Sequence, residues 1–576
     1  MRPASRLLVP LSLMTLVALI GSACGGGDAT SAPSATKPPP QATATARPTA
    51  APVPTPTPPP TPTAGPDVKR GGTIIIPTQF QLQTPDPSKI YNFTTHYALG
   101  HVWSTLLKFK DRVWSDTEVE GDLAASWDIS PDGKVYTFKI NPSARWQNVA
   151  PVSGRPVTAA DIKWTWDLEN DRIVPSYGSA YRSRWPDAID SMDAVDAKTL
   201  VVKLKAPFAP LTQGLANSTL KVLPREVFEL DKEFGKNIVG SGAFQYAESN
   251  PTVRVRTRAS VNYWKMGTDS QALPYVDAVE QVVFADNAAL IAAIKGGQAH
   301  FNSPSGVTLD QAIDMQKTAP NVVVIRDYNL YINLVRINNA EKPWDNEKAR
   351  QGIMRAIDQQ RFLNDIWRQS DAPLNGPVAA GIQGWELPQD ELKQLLKYDL
   401  TEAKRLIQEG GAAGVTVKLL AQAAPREPVG EAAFAFINQA LNDAGIKSEL
   451  FIPPGGGAAG SVLLQDRKYT VAWGTFPFEG NAWNWVRPNW YSNSSNNFFN
   501  VKDPALDKMI DDAEAEVDPA KQQSRVKDLQ RYILQKAYSV PVVNGWIWVP
   551  QSKALKNYAR TWPWGHNGLE HAWLER

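Results

Sequence analysis

The sequence predicts a mixed α/β protein, because stretches with helical spacing and short strand-like stretches alternate along most of the chain. The first strand is expected in "GGTIIIPTQF", where β-branched residues follow a glycine pair. A hairpin is expected in "WDISPDGKVYTFKI", since Pro-Asp-Gly at 131–133 supplies a turn and Tyr136, Phe138 and Ile140 alternate onto one face. A further strand is expected in "TLVVKLKAPF".

Helix signals lie between these strands. "VTAADIKWTWDLEN" begins with Thr158 as the expected N-cap, and Asp161 follows three residues later as a variant of the capping box. "NEKARQGIMRAIDQQRFLNDIW" and "LTEAKRLIQEGGAAG" also have helical spacing, and Gly410 and Gly411 are expected to stop the second of these helices. Helices and strands therefore alternate up to the end of the sequence.

The first residues are typical of an export signal. Arg2 and Arg6 precede an apolar run from Leu7 to Ile20, which is shorter than the roughly twenty residues that span a bilayer. "GSAC" then leads into Cys24, the only cysteine of the chain, and resembles a lipoprotein processing site. We expect residues 1–23 to be a signal peptide and Cys24 to be lipidated, with several acyl chains giving a stable anchor.

Residues 24–67 are rich in proline, threonine and alanine, so they cannot bury a core and are expected to form an extended, disordered linker.

Removing residues 1–23 takes away two arginines and no acid, so the formal charge falls from +2 to 0. This balance argues against nucleic acid as a partner. Residues 68–576 are too many for one core and are expected to fold as two or three domains.

The stretch "VAWGTFPFEGNAWNWVRPNW", residues 471–490, carries six aromatic side chains and only two charged residues. It shows neither strand nor helix periodicity and contains two glycines and two prolines, which favours a loop. Aromatic side chains on a loop either fill a core or contact a molecule that docks there.

Nine segments, taken in order, resemble the extracellular solute-binding proteins of ABC importers, in the peptide, nickel and opine class often called family 5. They are "GGTIII", "TPDPSKI", "LAASWDISPDGKVYTFKINPSARW", "GRPVTAADIKWTW", "NIVGSGAFQY", "VNYWK", "KPWDNEKARQGIMRAIDQQ", "YDLTEAKRLIQEGG" and "FNVKDPALDKMID". We expect most of their aromatic residues to be core and Gly133 and Gly242 to be turn or close-approach positions.

The resemblance implies a two-lobed periplasmic-binding-protein-like fold with an additional domain in the first lobe. Lobe I would comprise residues 68–97, 235–328 and 549–576, the extra domain 98–234, and lobe II 329–548. The protein would be a monomer on the outer face of the cytoplasmic membrane, on the periplasmic or cell-wall side. It would capture oligopeptides between its lobes and deliver them to permease and ATPase partners.

The resemblance also implies where a ligand lies. Peptides in this family pair as an added strand along the second lobe, which corresponds here to residues 472–475. The full set of residues expected at the ligand is Gln81, Leu82, Gln83, Tyr177, Tyr181, Ala472, Trp473, Gly474, Thr475, Phe476, Trp483, Trp485, Asn544 and Trp546.

One position departs from the peptide-binding pattern. Many peptide binders place an aspartate three residues after the tryptophan, where it accepts the ligand's amino group, but this chain has Phe476 there. A buried ammonium without a carboxylate is costly, so Glu479 is a candidate substitute. The alternative ligand is an oligosaccharide, which indole rings and the seven asparagines between Asn481 and Asn500 could bind.

Cofactor, metal and catalytic signals are weak. "GGGAAG", residues 455–460, fits a dinucleotide pattern, but its surroundings favour a flexible loop, and we expect no cofactor. The five histidines lack ligand spacing, so we expect no metal site. An exported glycoside hydrolase using Glu386 and Glu479 is the rival class, although nothing in the sequence pairs these carboxylates. We therefore expect a binding protein and not an enzyme.

Overall fold

The structure is a computed structural model of the chain. It describes residues 68–575 apart from 90–92, 110–117, 171–172, 174–187, 218–219, 302–305, 330, 383, 422–429, 455, 478–481 and 559–567. The signal peptide, Cys24 and the linker predicted in residues 1–67 lie outside this described part. None of the helices within it is long and apolar enough to cross a membrane.

The first sheet contains the strand predicted in "GGTIII". Its strands are β1 (Thr73–Thr78), β8 (Phe244–Asn250), β9 (Arg254–Ala259) and β10 (Ala278–Val283), in the order β1-β10-β9-β8. β1 and β10 run parallel and the other pairs are antiparallel. Around this sheet lie α1 (Phe93–Leu99), α5 (Asn287–Lys295), α6 (Leu309–Thr318) and the short strands β18 (Leu555–Lys556) and β19 (Trp573–Leu574).

The second sheet is antiparallel and includes the predicted hairpin. Its strands are β4 (Ala124–Ile129), β5 (Val135–Ile140), β6 (Ile189–Asp196) and β7 (Thr199–Leu204), in the order β4-β5-β7-β6. The segment also contains β2 (Leu107–Phe109), β3 (Val119–Gly121), α2 (Ala159–Glu169), α3 (Leu211–Leu215) and α4 (Arg225–Asp231). Gly133 has a φ of 69° in the hairpin turn, which confirms its prediction as a turn glycine.

The third sheet has five strands. They are β12 (Tyr331–Ile337), β13 (Thr416–Ala421), β14 (Lys447–Phe451), β15 (Val471–Pro477) and β16 (Ser539–Val542), in the order β14-β13-β15-β12-β16. The helices are α7 (Glu347–Ala356), α8 (Gln359–Phe362), a π-helical turn (Leu363–Trp367), α9 (Gln389–Leu395), α10 (Leu400–Glu409), α11 (Gly430–Asp443), α12 (Gly456–Gln465), α13 (Trp483–Trp490), α14 (Pro504–Ala515) and α15 (Pro519–Gln535).

Helices cover both faces of this third sheet. On one face Ile353 of α7, Ile407 of α10 and Ile437 of α11 pack against the strands. On the other face the packing comes from α13, α14 and α15. β12 and β16 are buried almost throughout, and the helices on both faces give three layers, as expected for a parallel or mixed sheet between helices.

Two strands connect the first sheet's region to the third sheet. β11 (Val322–Asp327) pairs antiparallel with β17 (Ile547–Ser552). β11 leads into β12, and β16 leads into β17, so the chain crosses twice, once between β11 and β12 and once between β16 and β17. The division into lobe I, the extra domain and lobe II stays a prediction.

One loop prediction is wrong. Residues 456–460 of "GGGAAG" form the first half of α12, which connects β14 to β15. The helix forms because its far end is anchored by tertiary packing: Leu464 is buried against Leu420, Tyr469 and Ala472. Tertiary burial of this kind overrides a low local helix propensity.

Candidate ligand-binding site

Outside residues 478–481, which the structure does not describe, the aromatic stretch 471–490 is not a loop. It forms the central strand β15 followed by α13. β15 lacks a strand-like pattern because it is enclosed in the sheet, where pairing with β12 along residues 471–477 fixes its extended conformation. The glycine and proline within this strand are tolerated because distant segments supply its neighbours.

The two edges of β15 are paired to different extents. β12 pairs antiparallel with all of residues 471–477, whereas β13 pairs in parallel only with residues 471–473. β13 ends at Ala421, so within the described residues no strand pairs the second edge of 474–477. Main-chain N–H and C=O groups on such an edge can pair with an added strand.

Several predicted site residues gather near this half-open segment. β13, β14 and β15 are parallel, so their carboxyl ends lie at one edge of the sheet. β16 has the same direction, because β12 runs antiparallel to both β15 and β16. Gly474–Phe476 and residues 543–546, which include Asn544 and Trp546, therefore lie at that edge. In open α/β sheets this edge is where ligands usually bind.

Asn544 is buried and holds the start of β12. Its side-chain oxygen accepts a hydrogen bond from the Asn333 amide, and its side-chain nitrogen donates to the backbone carbonyl of Tyr331. Asn333 lies opposite Thr475 in the sheet register. Asn544 thus fixes the start of β12, the strand that pairs with β15 beside its half-open edge.

Trp546 lies at the centre of a group that we call the Trp546 cluster, formed with Arg326, Tyr328 and Asp371. The Arg326 guanidinium lies 4.6 Å from the centre of the indole, and the Tyr328 ring lies 4.9 Å from it. The indole Nε1 donates to Asp371 at 3.2 Å, and Arg326 pairs with the same carboxylate at 2.7 Å. Burial raises the pKa of the Tyr328 hydroxyl.

The backbone of Trp546 is fixed by the side chain of Gln369. Gln369 accepts from the Trp546 N–H at 2.7 Å and donates to its carbonyl at 3.1 Å. The cluster offers an aromatic surface beside a charged pair at the strand crossing. The sequence predicted only Trp546, because the other three members come from separate segments that carry no shared pattern.

The tryptophans of the aromatic stretch pack inside the protein. Trp473, Trp483 and Trp485 are only 4%, 5% and 4% exposed. Trp473 lies 6.0 Å from Phe362 between ring centres, and Trp483 lies 5.8 Å from Trp385. In this structure their indoles contact core residues on both faces of the sheet. Their contact with a ligand stays a prediction.

The remaining predicted site residues are in different places. Gln81 and Gln83 are exposed directly after β1, while Leu82 between them is buried. Ala472 is buried in the small core under α12. Tyr177 and Tyr181, together with the side chains of Thr475 and Phe476, lie outside the described part of the chain.

The residues considered for catalysis or metal binding do not form a described centre. Burial raises the pKa of Glu386, which follows the core residue Trp385. Glu479 lies outside the described residues. Among the residues that the structure describes, no group of three or more His, Cys, Asp or Glu side chains could hold a metal ion.

A helix-covered sheet, joined by two crossing strands to a second sheet, is the arrangement of a two-lobed protein. The chain belongs to the bacterial extracellular solute-binding proteins, family 5, whose middle-region model matches residues 118–503. This confirms the class predicted from the sequence, a binding protein, over the hydrolase alternative.

Relatives and solved structures agree with the family. The glutathione-binding protein GsiB of Pectobacterium atrosepticum is 26% identical over 60% of this chain and 63% of its own length, so the match spans less than two thirds of that relative. DppA of Helicobacter pylori, solved in complex with the peptide STSA, has a TM-score of 0.73 and 22% identity, covering 88% of this chain and 99% of that one. AppA of Bacillus subtilis, an oligopeptide-binding protein solved with a nonapeptide, has a TM-score of 0.69 and 16% identity, covering 88% and 100%. The predicted two-lobed fold is confirmed.

Proposed function

We propose that this protein is the solute-binding component of an ABC importer and that it captures oligopeptides between its two lobes for delivery to a permease. Family membership supports a binding role. The names of its relatives and structural neighbours, which include glutathione, peptide and oligopeptide binders, support peptides as the ligand class.

The observation that carries the proposal is the half-open edge of β15. Along residues 474–477 one edge of the strand is paired and the other is not paired by any described strand. A peptide can extend the sheet there through main-chain hydrogen bonds, which are independent of its side chains. An oligosaccharide has no repeating N–H and C=O groups with which to pair in this way.

Isothermal titration calorimetry with di- to hexapeptides and with a matched set of oligosaccharides tests this function. We expect heat of binding from peptides and none from the sugars. Binding of oligosaccharides alone would overturn the proposal in favour of the sugar alternative, and silence from both sets would overturn both.

The amino terminus of the peptide needs a separate test, because Phe476 replaces the aspartate expected to accept it. We propose that Glu479 takes this role. If so, acetylating the peptide's amino group weakens binding to the parent protein, and Glu479→Gln binds free and acetylated peptides with similar affinity. Equal affinity of the parent for both forms would contradict the role of Glu479.

We further propose that the protein is held at the outer face of the cytoplasmic membrane by lipid on Cys24. Full-length protein would be found in the membrane fraction, and Cys24→Ala would be soluble or unprocessed. If Cys24→Ala stays in the membrane fraction like the parent, this anchoring proposal is wrong.

A further inference from the structure

Away from the strand crossing, described residues assigned to the extra domain also contact described residues assigned to lobe II. The backbone N–H of Ala209 donates to the carbonyl of Glu514 at 2.9 Å. A Cβ built on Gly133 would lie 3.1 Å from Cγ1 of Val517 and 3.4 Å from Cβ of Pro207. The hairpin turn at 133 and the segment 207–209 thus meet the α14–α15 connection.

The lobe II side of this contact is held rigidly. Glu514 lies in the last turn of α14, where backbone carbonyls have no partner within the helix. Its side chain is buried, and both carboxylate oxygens accept from Nε of Arg487, at 2.8 and 2.7 Å. The carbonyl of Glu514 is therefore presented at a fixed position, and the Ala209 N–H satisfies it.

The side formed by the extra domain is also anchored. Phe208 packs against the core of that domain, and its carbonyl accepts from the Tyr136 hydroxyl at 3.4 Å. Helix α3 begins two residues after Ala209, at Leu211. Both surfaces are consequently preformed, and little ordering is needed when they meet.

The contact is small enough to break. Val517 remains 54% exposed, and among the described residues the contact consists of one main-chain hydrogen bond and a few apolar atoms. A single hydrogen bond stabilises far less than a domain core does. A contact of this strength can shift an opening equilibrium without locking it.

We propose that segment 207–209 and the turn at 133 form a latch with residues 514–517, which closes the lobes at a point away from the strand crossing. The latch rests on the proposed function, because it stabilises the closed state in which a peptide is enclosed. The latch would stabilise the closed state by the same free energy whatever the chemistry of the bound ligand.

A disulfide across the latch tests it. In a full-length Cys24→Ser background, Gly133→Cys with Val517→Cys places a sulfur where Cγ1 of Val517 now lies, 3.1 Å from a Cβ at position 133. The φ of 69° at position 133 strains any side chain there equally in the reduced and the oxidised protein, so it does not bias their comparison. We expect the disulfide to form readily in the ligand-free protein. We also expect small-angle X-ray scattering to give a larger radius of gyration for the reduced protein than for the oxidised one.

Val195→Cys with Val517→Cys is the control pair, since Val195 is an exposed residue on another strand of the extra domain. It should not form a disulfide. The latch is overturned if the 133–517 pair forms a disulfide no faster than the control, or if reduction leaves the radius of gyration unchanged. Neither result depends on peptide binding, so these measurements test the latch even if the peptide titration shows that the proposed function is wrong.

A surface substitution gives a second test that needs no disulfide. Val517→Asp places a charge against Gly133 and Pro207, whereas Val462→Asp changes a valine of similar exposure, 52%, on α12. We expect Val517→Asp to bind the tetrapeptide Ser-Thr-Ser-Ala roughly fivefold more weakly, because apparent affinity falls with the closed population. Val462→Asp should match the parent. Equal affinity of both variants and the parent would contradict the latch.

Discussion

The role of Gly242, in the "GSGAF" motif, could be predicted from the sequence alone. A Cβ added there would lie 2.4 Å from the carbonyl oxygen of His101 and 2.7 Å from that of Val102. The Gly242 N–H also donates to the Val102 carbonyl at 2.9 Å. The predicted close-approach role is confirmed, because only glycine leaves room for this backbone contact.

Gly242→Ala should lower the free energy of unfolding by about 1–3 kcal/mol, as overpacking against immobile backbone does. Gly235→Ala is the matched control, since its added Cβ would meet its nearest neighbour, Pro85, at an ordinary 3.4 Å. Urea denaturation of both variants measures the difference. Equal stabilities would show that the backbone around 101–102 yields easily.

His96 makes stability depend on pH. It is buried in α1, and neither ring nitrogen has a hydrogen-bond partner among the described residues. Burial, assisted by the charge of Lys221, lowers its pKa to about 3. Between pH 6.5 and pH 3 the unfolded chain therefore binds a proton that the folded protein excludes, and stability falls as pH falls.

Relative to pH 7.5, His96 should cost about 2 kcal/mol of stability at pH 5. His96→Gln cannot titrate, so the loss between these two pH values should be smaller in the variant by that amount. Denaturant unfolding of parent and variant at both values measures this difference. An identical pH dependence would mean that His96 is hydrated or protonated in the folded state.

At the scale of elements, local chemistry predicted the helix ends and the hairpin but not the central strand. The Asp161 carboxylate accepts from both the backbone N–H and the hydroxyl of Thr158, as the capping signal predicted. Gly410 and Gly411 end α10, with a φ of 75° at Gly411. β15 could not be predicted in this way, because its conformation is imposed by β12 and β13, which are distant in sequence.

The candidate ligand site shows the same difference between residues that the sequence predicts and residues that only the fold brings together. Asn544, Trp546 and the segment 474–476 could be named because a family resemblance placed them. Arg326, Tyr328 and Asp371 could not, since only the strand crossing brings them together around Trp546.

Asp161→Ala should destabilise the extra domain beyond the loss of a helix cap. Arg155 donates to both carboxylate oxygens of Asp161, at 2.9 and 2.7 Å, so the substitution also removes a charged pair. We expect a loss of about 2–3 kcal/mol in the free energy of unfolding. Asp190→Ala, at an exposed position of β6, should cost little by the same denaturation assay.

At the scale of the whole molecule, the two lobes are connected at the β11–β17 crossing, and the proposed latch adds a second, breakable contact. Closure requires a ligand that contacts both sides, because a ligand shifts an equilibrium only through its different affinity for the two states. We propose that the half-open edge of β15 provides one of these sides for a peptide. The bound peptide would then lie as a strand along residues 474–477.

Hydrogen–deuterium exchange with and without the tightest-binding peptide of the titration panel tests that claim most directly. Peptide pairing would slow exchange of backbone amides within 474–477, because main-chain hydrogen bonds protect them. Segment 447–449 of β14, at the outer edge of the same sheet and away from 474–477, should exchange at the same rate in both samples. A peptide that binds while exchange within 474–477 stays unchanged would contradict the account.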